Sequence, residues 1–149
     1  YQHIKKNDIP TIDEGNDVLI KVLVGKVKNI SSAIQTYSPV SIFDVQFIKP
    51  SLIDLDISKN QTVMVYVIDG ELKFHDENQI ARKGQMIYFD QSSDMINLTS
   101  ISSTGSYLVL AGEPLNEPVV RYGPFVTNTE GDMKKVMLDY QNGKMGTLS

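Results

Sequence analysis

The stretch Thr62-Val-Met-Val-Tyr-Val-Ile-Asp-Gly70 decides the fold of this 149-residue chain. From Thr62 to Ile68 both parities of an extended strand are apolar, which places the strand centrally in a sheet. Asp69-Gly70 reads as a two-residue hairpin turn, because a type I′ turn needs positive φ at both central positions. Glu71 to Phe74 is the returning strand. Outward from there the same period recurs. Val18 to Val24 ends at Gly25; Phe43, Val45 and Phe47 alternate with Asp44 and Gln46; Ile53, Leu55 and Ile57 alternate with Leu52, Asp54 and Asp56. Asp76-Glu-Asn78 is a further turn, and Lys83-Gly84 introduces Gln85 to Phe89. Met95 to Leu98 and Tyr107 to Ala111 complete the series. On this reading Phe43, Phe47, Tyr66 and Phe89 are core. Strand follows strand from 17 to 112 with no helix between, so the expected class is all-β, a barrel or sandwich.

From Gly112 the pattern changes. Pro114, Pro118 and Pro124 hold residues 113–128 extended, since proline cannot donate to a ladder and biases its predecessor away from helix. Thr129 is an N-cap, with Asp132 three residues on at the positive end of a helix. Met133, Val136, Met137 and Tyr140 recur at helical spacing and form one apolar stripe. Gly143 ends the helix, which spans 129–142. Residues 1–16 form the entry segment.

Composition excludes several classes. With 14 basic against 18 acidic residues and a net charge of −4, the chain lacks the clustered basic face that nucleic acid requires. It has no cysteine, which removes disulfides, thiolate nucleophiles and sulfur-ligated metals. No stretch approaches the ~20 apolar residues of a membrane-spanning helix. Tyr1-Gln-His-Ile-Lys-Lys6 has no signal-peptide core, so a cytoplasmic protein is expected and the sequons at Asn29, Asn60 and Asn97 are chance matches.

Catalytic groups are scarce. Of the two histidines, His3 sits in the entry segment and His75 in an acidic turn, where a solvated imidazole is the commoner outcome. No Gly-x-Ser-x-Gly elbow, phosphate loop or dinucleotide fingerprint is present. Asp54 and Asp56 share one face of a strand and could act as acid and base or bind a hard cation. Opposed to Ile53, Leu55 and Ile57, they read better as a polar outer face.

The blocks Val65-Tyr-Val-Ile-Asp-Gly-Glu71 and Lys83-Gly-Gln-Met-Ile-Tyr88 are spaced like the two conserved blocks of cupin barrels. Leu110-Ala-Gly-Glu-Pro-Leu115, Glu117-Pro-Val-Val-Arg-Tyr-Gly-Pro-Phe-Val-Thr-Asn-Thr129 and Asp139-Tyr-Gln-Asn-Gly143 resemble the tail of the C-terminal cupin domain of pirin-family proteins. The resemblance covers the whole chain, and implies a cupin-type β-barrel or jelly roll with a C-terminal α-helix after an extended tail. Pirins are bicupins. By resemblance, an iron-type site of histidines and a glutamate belongs to the N-terminal lobe, and some members are quercetin 2,3-dioxygenases. Counting from Gly70 and Gly84, the ligand positions of an active lobe fall near Asp56, Ser58, Thr62 and Asn97, a set unsuited to iron.

The expected function is therefore a metal-free C-terminal lobe, a structural or regulatory partner of a metal-binding N-terminal cupin lobe that this chain lacks. No catalytic, cofactor-binding or metal-ligating residue is assigned. Tyr122, Phe125, Met133, Val136, Met137 and Tyr140 form the expected docking face. A homodimer through exposed apolar surface is a second expected association; nucleic acid and membrane are not expected partners. Two alternatives stay open. One is a free-standing metal-dependent enzyme of the quercetin 2,3-dioxygenase type; the other is a small-molecule-binding cupin.

Overall fold

A computed structural model describes residues 2–15, 17–74, 79–89 and 95–146. Residues Tyr1–Pro114 and Leu115–Ser149 form two units. In the first, β1 (Thr11–Asp13), β2 (Val18–Val24), β3 (Lys26–Val27), β4 (Ile30–Ser31), β5 (Val40–Phe47), β6 (Ser51–Asp56) and β7 (Thr62–Asp69) are followed by β8 (Glu71–Phe74), β9 (Gln79–Arg82), β10 (Met86–Phe89), β11 (Met95–Ser100) and β12 (Gly105–Gly112). A six-stranded sheet has the order β1-β2-β5-β12-β7-β10, and a four-stranded sheet the order β6-β11-β8-β9. Every pairing in the two sheets is antiparallel.

The core follows from side-chain parity. On β6, Ile53 and Leu55 are buried while Leu52, Asp54 and Asp56 are exposed, as alternation dictates. Val18, Ile20 and Val22 of β2, Phe43, Val45 and Phe47 of β5, and Val63, Val65 and Val67 of β7 meet Leu72, Ile87, Ile96, Leu98, Tyr107 and Val109 in one apolar cluster. Each large aliphatic side chain so buried stabilises by about 1.5–3 kcal/mol, and together they hold the sheets. Phe43 and Phe47 are core as expected, and Phe89 packs against the cluster. Tyr66 corrects the expectation: its parity on β7 points it outward, and it is exposed.

The Asp69-Gly70 hairpin is also corrected. β7 lies in the six-stranded sheet and β8 in the four-stranded one, so the turn is a corner between sheets. Gly70 has φ +86°, but Asp69 is not among the positive-φ residues, so the type I′ requirement is unmet. Sequence alone shows a tight turn without showing which strand the returning chain will pair with. Gly105 lies beside the corner; a Cβ there would come within 2.5 Å of the Asp69 carbonyl oxygen and of the Phe47 ring. The expected turn at Asp76–Asn78 lies outside the described residues, although β8 and β9 on either side of it pair antiparallel.

The second unit holds β13 (Val120–Tyr122), β14 (Phe125–Thr127) and α1 (Glu130–Gln141). β13 and β14 pair antiparallel around Gly123-Pro124, a hairpin inside the stretch read as extended. The cap is the expected one. Thr129 Oγ1 accepts from the Asp132 N–H at 3.1 Å and donates to its carboxylate at 2.6 Å. Such a cap is worth about 1 kcal/mol. At the other end Gly143, with φ +68°, donates to the Tyr140 carbonyl at 3.0 Å and closes the last turn.

Candidate functional site

An active barrel needs donors that face inward. Asp56, Ser58 and Asn97 are exposed, and Thr62 shares the outward parity of Met64 and Tyr66. The ligand positions counted from the glycines thus fall on the outer face, one residue out of phase with the interior. Correcting the phase brings in Leu55, Ile57, Val63 and Ile96 or Leu98, all buried and apolar. Neither register presents an imidazole or a carboxylate to the interior.

Asp54 and Asp56 stand on the outer surface of β6. Asp54 accepts a hydrogen bond from the Asn97 amide at 2.5 Å across the strand pair, which accounts for its position without a cation. His3 is exposed and lines a groove with Ile9, Pro10, Val22, Leu23 and Ile34. His75 lies outside the described residues. Among the described residues no group of three or more His, Asp or Glu is gathered closely enough to hold a metal. No helix among them is long and apolar enough to cross a membrane.

The polar groups inside the barrel are few. Ser100 is fully buried but satisfied: its hydroxyl accepts from the Ser51 N–H at 2.8 Å and donates to the Ser51 carbonyl at 3.1 Å. Tyr107 is different. It is fully buried, its ring lies 6.4 Å from that of Phe47, and its hydroxyl has no hydrogen-bond partner among the described residues. Burial pushes its ionisation far above the ordinary phenol range. A buried hydroxyl without a partner costs about 1–3 kcal/mol. Tyr107→Phe is therefore expected to stabilise the barrel by about 1 kcal/mol in denaturant unfolding at neutral pH; a loss of that size would mean that the hydroxyl is bonded. The pH dependence has a definite sign. Below about pH 10 both states keep the phenol proton and Tyr107 adds no slope. Above it the unfolded chain releases the proton first, so stability falls with rising pH. That alkaline slope is expected to shrink in Tyr107→Phe.

The expected docking face lies in the second unit. Phe125 of β14 and Tyr140 of α1 meet edge to face with ring centroids 5.4 Å apart. Tyr122, Met133 and Met137 line an open apolar groove of about 470 Å³, with Lys134, Leu138 and Gln141. Met133 is buried, Val136 and Met137 half-buried, and Tyr122 and Tyr140 exposed. The six residues thus fall into an edge-to-face aromatic pair, a groove-lining set and a flanking Val136. Leu138 was missed because it lies off the stripe through Met133, Val136, Met137 and Tyr140. Its large apolar side chain, 58% exposed, was the available signal. This unit offers apolar surface for contact.

Residues 42–146 match the pirin C-terminal cupin domain. Pirin-1 of Arabidopsis thaliana is 32% identical over 149 residues, covering 98% of this chain and 52% of that protein. The pirin of Rattus norvegicus is 31% identical over 148 residues, covering 98% and 50%. The crystal structure of a quercetin 2,3-dioxygenase from Acinetobacter baumannii superposes with a TM-score of 0.88 at 30% identity, over 100% of this chain and 51% of that one. KdgF from Halomonas, at 9% identity and a TM-score of 0.53, shares the fold alone. The chain spans about half the length of these pirin relatives. The paired sheets, the Gly70 and Gly84 blocks and the hairpin-and-helix tail agree with the match: the chain belongs to the pirin family and carries its C-terminal cupin domain.

Proposed function

We propose that this chain acts as the metal-free C-terminal lobe of a two-lobe pirin-type protein, a structural and regulatory partner of a metal-binding N-terminal cupin lobe. The observation that carries this reading is the inward register at Leu55, Ile57, Val63, Ile96 and Leu98, which supplies no nitrogen or oxygen donor. An ionised group placed there would lose several kcal/mol of hydration without recompense. The half-length match to the relatives supports the second lobe. In this reading the quercetin 2,3-dioxygenase activity named for the Acinetobacter baumannii relative belongs to the whole two-lobe protein. The exposed tail residues, Tyr122 and Tyr140 above all, then serve as docking surface together with Phe125, Met133, Val136 and Met137.

Metal analysis tests the assignment. Purified from medium supplemented with iron, nickel and zinc, the chain is expected to retain well under about 0.1 metal per chain by mass spectrometry, an order-of-magnitude threshold set by the lack of a chelating donor set among the described residues. It should also turn over no quercetin. Stoichiometric metal that is lost in a His75→Ala variant would overturn the reading in favour of a free-standing enzyme.

A further inference from the structure

The end of α1 carries a reactive pair. Of the asparagines in this chain, only Asn142 is followed by glycine. With no Cβ on Gly143, its backbone nitrogen is unshielded and its dihedrals are free, so that nitrogen can reach the side-chain carbonyl carbon of the preceding residue. Asn142 and Gly143 are both exposed, and water has access to the pair.

The fold holds the reacting nitrogen back. Asn142 caps α1 with φ −85° and ψ 8°, and Gly143 follows in the left-handed region at φ +68°. The Gly143 N–H donates to the Tyr140 carbonyl at 3.0 Å and the Lys144 N–H to the Asp139 carbonyl at 2.9 Å, the two bonds that together close a helix end. Lys144 Nζ also pairs with the Asp139 carboxylate at 3.2 Å. An amide whose proton is held by a carbonyl is a poor nucleophile. The last turn must open before that proton can leave, as it must for amide hydrogen exchange. Helix ends are among the first parts of a fold to open.

We propose that Asn142-Gly143 is a modification site, a spontaneous deamidation gated by opening of the last turn of α1. The Gly143 amide nitrogen bonds to Cγ of Asn142, its proton passes through water to the side-chain nitrogen, and that nitrogen leaves as ammonia. Water then opens the cyclic imide at either carbonyl, giving aspartate or isoaspartate. Both products act on the cap. Aspartate sets a negative charge at the negative end of the helix. Isoaspartate routes the main chain through the former side chain, and the added methylene carries the Gly143 and Lys144 donors away from their carbonyls. Tyr140 is then loosened, since its carbonyl accepts one of those bonds and its ring meets Phe125 at 5.4 Å. The modification thus marks, irreversibly, chains whose tail helix has come loose. The inference rests on the cap, and neither metal content nor the identity of a partner bears on it.

The test is peptide mapping by chromatography and mass spectrometry after days of incubation at neutral pH. Asn142 is expected to convert before every other asparagine, with isoaspartate as the main product. Its conversion should be roughly tenfold slower than in the same chain unfolded in guanidinium chloride, the factor imposed by a cap worth about 1.4 kcal/mol. Phe125→Ala, which removes the ring facing Tyr140 without altering the helix sequence, should speed conversion roughly three- to tenfold. If that variant unfolds the tail, conversion should reach the rate of the unfolded chain, which the gating equally requires. Asn142→Gln, whose longer side chain closes the ring poorly, should abolish the early product. A folded chain that converts as fast as the unfolded one, an Asn142 that outlasts the other asparagines, or a Phe125→Ala variant no faster than the parent would overturn the inference.

Discussion

Gly105→Ala is expected to destabilise the barrel by about 3 kcal/mol or more, the upper range for overpacking a close-packed interior. The new methyl would sit 2.5 Å from the Asp69 carbonyl oxygen and 2.5 Å from Cζ of Phe47. Neither neighbour yields readily. Asp69 is backbone at the corner between sheets, and the Phe47 ring is packed in the core beside Tyr107. Urea unfolding followed by circular dichroism checks the prediction. A midpoint within experimental error of the parent would show that the corner relaxes, and that its glycine is not required sterically. The lesion is one of space, since Gly105 is not among the positive-φ glycines.

Phe47→Ala should cost about 3–5 kcal/mol, the range for removing a buried aromatic side chain. The ring is buried in the core cluster, lies near Tyr107 and faces both Gly70 and Gly105. Little can collapse into the space, because the corner backbone is pinned: the Glu71 N–H donates to the Ser102 hydroxyl at 2.7 Å. The two substitutions share a contact, so their effects should not add. In the double variant the alanine methyl meets an emptied space on the ring side, while the Asp69 carbonyl still opposes it. The combined loss is expected to fall short of the sum by about 1 kcal/mol, within the range of coupled core pairs. Full additivity would mean that the carbonyl contact alone carries the cost of Gly105→Ala.

Much of this architecture was legible from alternation. The strand read from Leu52 to Ile57 matches β6 from Leu52 to Asp56 residue by residue, because burial on one side and solvent on the other impose a period of two. The helix was legible for a similar reason, its cap and stop being local chemistry at Thr129, Asp132 and Gly143. What stayed hidden depends on distant partners. Lys26–Val27, Ile30–Ser31 and Thr11–Asp13 are too short to show a period. Gln79–Arg82 buries only Ala81 and leaves Ile80 exposed, which inverts the usual cue.

The candidate ligand positions were counted out of phase with the interior. The scarcity of histidine is visible at once, but Asp56, Ser58 and Asn97 were placed on the ligand side by counting across turns. A one-residue error over such a turn moves every side chain to the opposite face. Tyr66 failed for a related reason. Aromatic character on a strand suggests burial without fixing the parity, and Tyr66 falls on the exposed, outward side of β7.

The corner at Asp69-Gly70 has a bearing on how the protein comes to be made. Because that turn sends the chain across to the other layer, β7 finds no neighbour in the segment that follows it at once, and its partners are β12 and β10. β5 likewise waits for β12, with Phe43 opposite Val109. Such distant pairings place barrels among the slower folders, in milliseconds to seconds, as synthesis advances at about 5–20 residues per second. A nascent chain therefore leaves the ribosome tunnel with Val63, Val65 and Val67 unsheltered until the stretch through Ala111 has emerged. For those seconds it is the cell's holding chaperones, not its own tertiary structure, that must keep those valines from meeting their counterparts on a neighbouring nascent chain.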